Sequence, residues 1–259
     1  MQNKKSSWED LRMRLFSAVI MVIIAGGGIF FGGWVFITLL VMLVFFMMWE
    51  WCGLYNISPY SVKGFLGLIW PIIAVLSASF GYWQESFAIL AMGWIAGTTL
   101  WFGASVIGVS SLSLLWLRVQ PLGLQNVLFL VCIVAASDSC AYLGGRLLGG
   151  RKLAPAISPA KTVSGALCAL GAACMVGIVL CLYVYTLPMT GGGIFLYGVC
   201  GGVLGVATQV GDLAESALKR ARGVKDSSHM IPGHGGFLDR FDGYLVAAPV
   251  GVVLFLLLY

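Results

Sequence analysis

The sequence predicts an all-α integral membrane protein, a polytopic helical bundle of about nine transmembrane helices. The chain has 259 residues, of which 60% are hydrophobic and only 10% are charged, whereas a soluble domain carries roughly 25% charge. So few charges cannot cover a water-soluble globule, which disfavours disorder, a secreted disulfide scaffold and an ordinary cytosolic enzyme. The net charge of +5 is small and gives no indication of nucleic acid as a partner. The lipid bilayer is the partner that the composition predicts.

Seven apolar stretches are long enough to cross a bilayer, which takes about 20 residues. In chain order they are 15–31, 34–52, 65–80, 125–142, 162–185, 193–210 and 244–259. The first has no small-residue cleavage site and another stretch follows it at once, so it is predicted to be retained rather than removed as a signal peptide. Residues 86–117 are also apolar but are interrupted by Gly103, Gly108 and a pair of serines. They predict either one crossing with an interfacial piece or two short crossings.

The distribution of basic residues favours two crossings in this region. Lys and Arg collect in cytoplasmic loops, and here they cluster at the N-terminus, within 143–161 and within 211–242, while the turns at 32–33 and 186–192 carry no charge. All three clusters share one side only if an even number of helices precedes residue 143. This favours nine helices, with the C-terminus on the far side. Eight helices with the N-terminus outside is the alternative.

Polar residues concentrate in the second half of the chain. Residues 212–242 contain ten of the charged side chains and both histidines. A solvated loop would explain the Lys and Arg but not the acidic residues and histidines among them, and ionisable groups near a bilayer are costly enough to indicate function. We therefore expect residues 1–136 to be a scaffold with lipid access, and 137–259 to be the catalytic region. Glu50, near a helix end between two tryptophans, is the exception in the first half.

The first polar segment begins with Asp138, near the end of an apolar stretch, where a carboxylate needs a partner, a cation or a wet cavity. A glycine-rich basic loop with Arg146 follows. Ser158 and Pro159 have the pattern of an N-cap and first helical residue. The free N–H groups of that helix would then lie beside Lys161 and Thr162 and form a phosphate-binding site. Capping alone would also account for the Ser-Pro pair.

The second polar segment continues an apolar stretch. If helical, Asp212, Glu215, Ser216 and Lys219 share one face. Pairing between Glu215 and Lys219 is the simpler explanation for two of them, and it stabilises a helix by only tenths of a kcal/mol. Gly223 is expected to end this helix.

A polar loop then leads into the last apolar stretch. It contains Lys225-Asp226, the turn Pro232-Gly233-His234-Gly235-Gly236 and the run Asp239-Arg240-Phe241-Asp242. Asp239 and Asp242 lie three residues apart and would share a helix face. Acidic residues near a helix N-terminus are also ordinary dipole chemistry.

The residue types in these segments indicate phosphate and metal chemistry. There is no strained Gly-x-Ser-x-Gly turn with His and Asp and no His-Glu-x-x-His, but there are several Asp for a hard cation and many Lys and Arg for phosphate oxygens. Mg²⁺ is held by one or two carboxylates plus substrate phosphates, and phosphoryl-type transfer depends mostly on positioning and charge neutralisation. These features predict Mg²⁺-dependent transfer between a nucleotide and a lipid phosphate.

Residues 216–242 resemble the signature of the phosphatidate cytidylyltransferase (CDP-diacylglycerol synthase) family. That pattern runs Ser-x-apolar-Lys-Arg, four residues, Lys-Asp, a Pro/Gly-x-His-Gly-Gly turn and Asp-Arg-apolar-Asp, and every specified position is met. Residues 137–146 and 153–165 are also similar to the family. One departure is Ser164, where the family usually has Glu.

The resemblance implies the reaction of CTP with phosphatidic acid to give CDP-diacylglycerol and pyrophosphate. It implies Asp212 and Asp239 as metal ligands, each at the point where a membrane helix meets the polar loop, with the loop folding back to bring them together. Further metal candidates are Asp242, Asp226 and Asp138. Asp239, Asp212, Lys161 and Lys225 are the expected catalytic residues. Substrate binding is expected of Ser158, Thr162, Ser216, Lys219, Arg220, His234, Arg240 and Arg146; His229 lies outside the pattern.

The expected cofactor is Mg²⁺, with a second cation left open, and the expected partners are CTP, phosphatidic acid and the bilayer. A homodimer is also left open. We expect a bacterial inner membrane with the active site facing the cytoplasm. The alternatives are another CTP-using lipid enzyme, such as a polyprenol or phytol kinase or an ether-lipid cytidylyltransferase, and a transporter, which would place charges on several central helices.

Overall fold

The structure, a computed structural model, describes residues 4–183 and 191–258, and within them the predicted all-α bundle is confirmed. The described residues form nine α-helices, one 3-10 helix and one β-hairpin. In chain order they are α1 (Lys4–Phe31), α2 (Gly33–Leu54), α3 (Val62–Ser79), α4 (Trp83–Met92), the 3-10 helix (Gly93–Ala96), α5 (Thr98–Val119), α6 (Gly123–Leu148), β1 (Lys152–Ala154), β2 (Ser158–Thr162), α7 (Val163–Tyr183), α8 (Gly191–Ala221) and α9 (Leu238–Leu258).

Eight of these helices are long and apolar enough to cross a membrane; α4, with ten residues, is the exception. The predicted helix ends at 185 and 259 and most of the turn predicted at 186–192 lie outside the described residues. The helix that carries Asp212 and Lys219 is α8, which ends at Ala221, two residues before the left-handed Gly223 (φ 71°). The predicted helix stop is therefore confirmed.

The chain forms two compact units. Unit 1 comprises residues 1–115 and 222–241, and unit 2 comprises residues 116–221 and 242–259. The α8–α9 loop, residues 222–237, thus groups with the first five helices. The functional division predicted at residue 136 stays a prediction.

Within unit 1, α4 and the 3-10 helix run antiparallel to α3. The contacts of α3 show this direction. Ser77, near its end, donates to the carbonyl of Tyr82 just before α4, and Trp70 donates to the carbonyl of Ile89 in α4. Gly67, nearer its start, lies against Leu100 just after the 3-10 helix. This return segment is about 23 Å long, from the rises of α- and 3-10 helices. It therefore returns the chain alongside α3.

The contacts of unit 1 also bring the middle of α1 and the start of α5 to the end at which α2 finishes. Ser17 lies in the middle of α1, near the start of its apolar span Arg12–Phe31, and it bonds to the α8–α9 loop, as does Glu50 near the end of α2. Trp51, beside Glu50, donates to the carbonyl of Thr99 at the start of α5, with an N···O distance of 3.1 Å. Helices α1, α2 and α3 and the return segment therefore precede α5. Four crossings there would be the even number that the charge pattern favours, and nine crossings against eight stays a prediction. Which side is cytoplasmic stays a prediction.

Within unit 2, α6, α7 and α8 pack closely where glycines face backbone. A Cβ on Gly165 of α7 would lie 2.5 Å from the carbonyl oxygen of Ala141 in α6. On the other side of α7, Gly177 faces the carbonyl of Tyr197 and Gly201 of α8 faces that of Ala173. Small residues that allow such approach are the usual means of packing helices in lipid. They bring the polar ends of these three helices together.

The structure corrects the predicted start of α7. Ser158 and Pro159 do not open a helix; they belong to β2, which pairs antiparallel with β1, Ala154 opposite Ser158. Helix α7 begins four residues later, at Val163, and Thr162 accepts a hydrogen bond from the N–H of Gly165 (3.1 Å) as its N-cap. Pro is compatible with an edge strand because the missing N–H can point away from the partner. The Ser-Pro pattern is therefore compatible with an edge strand as well as with a helix start.

Candidate active site

Unit 2 contains a cavity of about 380 Å³, lined by α6, the β-hairpin, α7 and α8. Six of the residues predicted for substrate or metal binding lie in its wall. They are Asp138, Arg146, Ser158, Lys161, Thr162 and Asp212. We call it the unit 2 cavity. Polar residues that are 74 positions apart in the chain are thus brought together.

An ion pair between Lys161 and Asp212 is the main polar contact in the unit 2 cavity. The hairpin strand β2 places Lys161 and the middle of α8 places Asp212, so that Nζ and Oδ2 lie 2.6 Å apart. The two side chains retain 26% and 32% of their exposure. Ser216, one turn further along α8, donates to Oδ1 of Asp212 at 3.4 Å. A pair this exposed adds little to stability. The Asp212 side chain keeps part of its surface open to a ligand, whereas the Nζ atom of Lys161 is itself buried.

The α6 wall of the cavity carries a second cation. The Arg146 guanidinium is exposed and donates to the hydroxyl of Tyr142 one turn earlier at 2.9 Å. Lys161 and Arg146 therefore provide two positive groups in one cavity, an arrangement suited to phosphate oxygens.

Ser164, the departure from the family pattern, holds the base of the hairpin. Its hydroxyl donates to the carbonyl of Gly149 and lies 3.0 Å from the hydroxyl of Thr162. A short hydrogen-bonding side chain at this position therefore joins the end of α6 to the start of α7.

Carboxylates gather where α6, α8 and α9 meet in unit 2. Asp242 is close enough to Asp212, Glu215 and Asp138 for their charges to repel one another. No group of three or more His, Cys, Asp or Glu among the described residues is arranged to hold a metal by itself. Mg²⁺ usually takes one or two carboxylates and completes its coordination with waters and substrate phosphates. The donor set is therefore compatible with Mg²⁺ bound together with substrate.

Two of the predicted phosphate-binding residues make contacts within unit 2 instead of lining the cavity. The ammonium of Lys219 lies 2.5 Å from Glu215, and their side chains are only 11% and 3% exposed. Arg220 donates from Nε to the carbonyl of Ile157 in the hairpin turn at 3.3 Å. The internal pairing considered as the simpler explanation for Lys219 is thus present.

The remaining predicted residues lie in unit 1, in or next to the α8–α9 loop. Lys225 and Asp226 are exposed, and the Arg240 guanidinium donates twice to the carbonyl of His234 (2.9 and 2.6 Å). The Nδ1 atom of His234 lies 2.8 Å from the hydroxyl of Ser17. Only the other ring nitrogen, Nε2, thus remains for a contact outside this pair.

Asp239, in the first turn of α9, organises this loop. Its Oδ2 atom accepts from the N–H of Gly236 (2.8 Å) and from the N–H and hydroxyl of Ser227 (both 3.0 Å). Asp239 and Asp212 lie in different units, and their assignment as metal ligands that the loop brings together stays a prediction.

Sequence reasoning missed three residues that hold the loop, namely Ser17, Ser227 and Glu50. A single serine in a helix or a loop carries little signal in one sequence. Glu50 did have one, because it is the only charge in the otherwise apolar α2.

A polytopic bundle with Lys, Arg and Asp around one cavity is the arrangement expected of a membrane enzyme that acts on phosphate groups. The chain matches the model of the cytidylyltransferase family over residues 12–258, and it belongs to that family. It is therefore a nucleotidyltransferase, as the motif at 216–242 predicts, and not a transporter.

Several relatives named phosphatidate cytidylyltransferase are similar to the chain over most of its length. The Brucella suis protein is 37% identical over 218 residues, which cover 78% of this chain and 77% of the relative. The Staphylococcus epidermidis protein is 31% identical over 201 residues, covering 78% and 70%. The Staphylococcus saprophyticus protein is 29% identical over 259 residues, covering 93% and 97%.

Proposed function

We propose that the protein transfers CMP from CTP to phosphatidic acid, giving CDP-diacylglycerol and pyrophosphate, in a Mg²⁺-dependent reaction. The observation that carries the proposal is the unit 2 cavity, in which the pair of Lys161 and Asp212 lies beside Arg146 in a bundle built to sit in lipid. The relatives named phosphatidate cytidylyltransferase support the choice of lipid substrate.

The chemistry requires charge neutralisation more than proton transfer. An anionic oxygen of the lipid phosphate attacks the α-phosphorus of CTP; the bond from that phosphorus to the bridging oxygen breaks, and pyrophosphate leaves with the electron pair. The nucleophile is already ionised, so no strong base is needed. Lys161 and Arg146 would neutralise and orient the phosphates, because positioning and electrostatics supply most of the catalysis in such transfers.

Asp212 is the proposed first carboxylate ligand of Mg²⁺. Asp138 and Asp242 lie close enough for their negative charges to attract the same ion. A bound Mg²⁺ neutralises phosphate oxygens and orients the leaving group. Asp212 also keeps Lys161 in place, since the two form an ion pair when no phosphate competes.

The residues of the α8–α9 loop complete the proposal. Asp239 is a second metal ligand, with Asp226 as a further candidate, Lys225 and Arg240 bind phosphate, and His234 contacts nucleotide or pyrophosphate through Nε2. From α8, Ser216 supports Asp212 and Arg220 supports the hairpin, while Lys219 is paired with Glu215. The site would face the cytoplasm of a bacterial inner membrane, where CTP is available.

The decisive experiment is a direct assay. Protein purified in detergent is supplied with CTP, phosphatidic acid and Mg²⁺, and both pyrophosphate and CDP-diacylglycerol are measured. We expect equal amounts of the two products, and none when a polyprenol replaces phosphatidic acid. Absence of turnover by monodisperse protein contradicts the proposal, and phosphorylation of the polyprenol would assign a lipid kinase instead.

A further inference from the structure

Helix α2 carries one charged residue, Glu50, four positions before its end. The side chain is buried, with 2% of the residue exposed. No ion pair joins it to a residue in the described part of the chain. A carboxylate in such surroundings is costly unless hydrogen bonds compensate it, so its partners should reveal its purpose.

Within the described part of the chain, the hydrogen bonds to Glu50 come from the middle and the end of the α8–α9 loop and from the start of α9. Oε1 accepts from the Ser228 hydroxyl (2.6 Å) and the N–H of Phe237 (2.8 Å). Oε2 accepts from the Ser227 hydroxyl (3.1 Å) and the N–H of Leu238 (2.8 Å). One side chain thus closes the intervening residues into a ring. It also provides acceptors for N–H groups at the start of α9, which have no partner within the helix.

Further contacts around Glu50 restrict the backbone of the loop. The ring of Phe46, one turn before Glu50, stacks on Phe237 with centroids 4.7 Å apart. A Cβ on Gly236 would collide with the Ser227 hydroxyl and with both carboxylate oxygens of Glu50. The hydroxyl of Ser227 lies between two carboxylates, 3.1 Å from Glu50 and 3.0 Å from Asp239. Glu50 therefore fixes the backbone that carries Asp239 and His234.

We infer that Glu50 is a positioning residue for nucleotidyl transfer: it holds the α8–α9 loop in its working conformation and does not itself touch substrate. The inference rests on the proposed function, because the working conformation is the one that supports nucleotidyl transfer. The hydrogen bonds that define the clamp are independent of it.

The first test measures amide hydrogen exchange in Glu50→Gln. The amide keeps the shape of the side chain but replaces one acceptor oxygen by a donor, so about half of the four bonds are lost. We expect exchange at Phe237 and Leu238 to become about tenfold faster or more, because one of these N–H groups loses its acceptor and the other keeps only a neutral acceptor in place of a charged one. Peptides from α6 and α7 should exchange as in the wild type. Glu85→Gln is the matched control, since Glu85 is exposed in α4.

The second test separates positioning from folding by kinetics. We expect the kcat of Glu50→Gln to fall about tenfold or more, as misplacement of catalytic groups does. The KM for phosphatidic acid should change less than about threefold, because the cavity residues in unit 2 are untouched. Glu50→Asp, which keeps the charge but is shorter, should recover part of the kcat. Ser228→Ala leaves α2 intact and should accelerate exchange at the loop to a smaller extent.

Unchanged exchange at Phe237 and Leu238 in Glu50→Gln would overturn the clamp. Faster exchange with wild-type kcat would overturn the positioning role. A wild-type protein that forms no CDP-diacylglycerol would contradict the proposed function instead, and the exchange comparison would still decide whether Glu50 holds the loop.

Discussion

The α8–α9 loop of unit 1 and the unit 2 cavity use carboxylates in opposite ways. In the loop, Glu50 and Asp239 bond to backbone N–H groups and serine hydroxyls of the same unit. In the cavity, Asp212 faces Lys161, and both side chains remain about one-quarter to one-third exposed. The loop carboxylates accept several hydrogen bonds from neighbouring residues, whereas the cavity carboxylate Asp212 keeps part of its surface open to a ligand.

This difference shows that acidic residues of one protein can contribute in two ways, through the fold or through a ligand. Removal of a cavity charge should affect substrate or metal with little change in the fold. Removal of a loop carboxylate leaves buried N–H groups without acceptors, which costs roughly 1–3 kcal/mol for each group. Variants of matched chemistry in the two regions should therefore separate chemistry from architecture.

The largest effect is expected for Lys161→Met. It removes the positive group at the centre of the unit 2 cavity, and turnover should fall by about a hundredfold or more because the phosphates lose their neutralising partner. Pyrophosphate release gives the measurement, and Lys63→Met, at an exposed lysine of α3, is the control. Near-normal turnover in Lys161→Met would move the phosphate site away from this cavity.

The dependence of turnover on Mg²⁺ tests whether Asp239 binds the metal as well as holding the α8–α9 loop. We expect Asp212→Asn and Asp239→Asn each to raise the Mg²⁺ concentration for half-maximal turnover about tenfold, because a neutral amide is a weaker ligand for a hard cation. Titration of turnover with Mg²⁺ measures it, with Glu85→Gln as control. A lower turnover at an unchanged Mg²⁺ requirement in Asp239→Asn would restrict that residue to the loop.

A structural effect of intermediate size is expected at the α6–α7 contact beneath the cavity. In Gly165→Ala the added Cβ meets the Ala141 carbonyl at 2.5 Å and the Cα of Gly145 at 3.2 Å. Forcing the helices apart should cost about 1–3 kcal/mol of stability. Gly171→Ala, in the same helix with open space around it, should be neutral or slightly stabilising. Thermal unfolding in detergent compares the two, and equal stabilities would contradict the close packing.

The smallest effect is expected for Ser164→Ala. The variant loses the bond to the Gly149 carbonyl and the contact with Thr162, each worth about 1 kcal/mol. Since the hairpin carries Lys161, turnover should fall a few-fold with the Mg²⁺ requirement unchanged. A changed requirement would place this position nearer the metal than its hydrogen bonds indicate.

Much of the helical architecture could be predicted because apolar length is a strong signal in a membrane protein. Two helical segments between residues 83 and 119 were expected only from the charge pattern, since the first of them is too short to be detected by length. The Ser-Pro strand could not be predicted, because the same two residues suit a helix start and an edge strand. Which one forms depends on pairing with Lys152–Ala154, a contact that a local pattern does not contain.

The cavity residues could be named from the sequence, but their partners could not. Asp212 and Lys161 were predicted individually, while their ion pair depends on how α8 packs against the hairpin. The contacts of Glu50 span about 180 residues of sequence, and no spacing rule connects such positions.

The short return segment has a consequence for the surrounding lipid. Its length of about 23 Å is less than the hydrocarbon thickness of about 30 Å, and Phe87, Met92, Trp94 and Ile95 all project outward from it. A hydrophobic segment shorter than its bilayer is matched by local compression of the acyl chains, at a fraction of a kcal/mol for each ångström. The membrane beside residues 83–96 should therefore be locally thinner. Bilayers with shorter acyl chains should accommodate this protein with less elastic deformation.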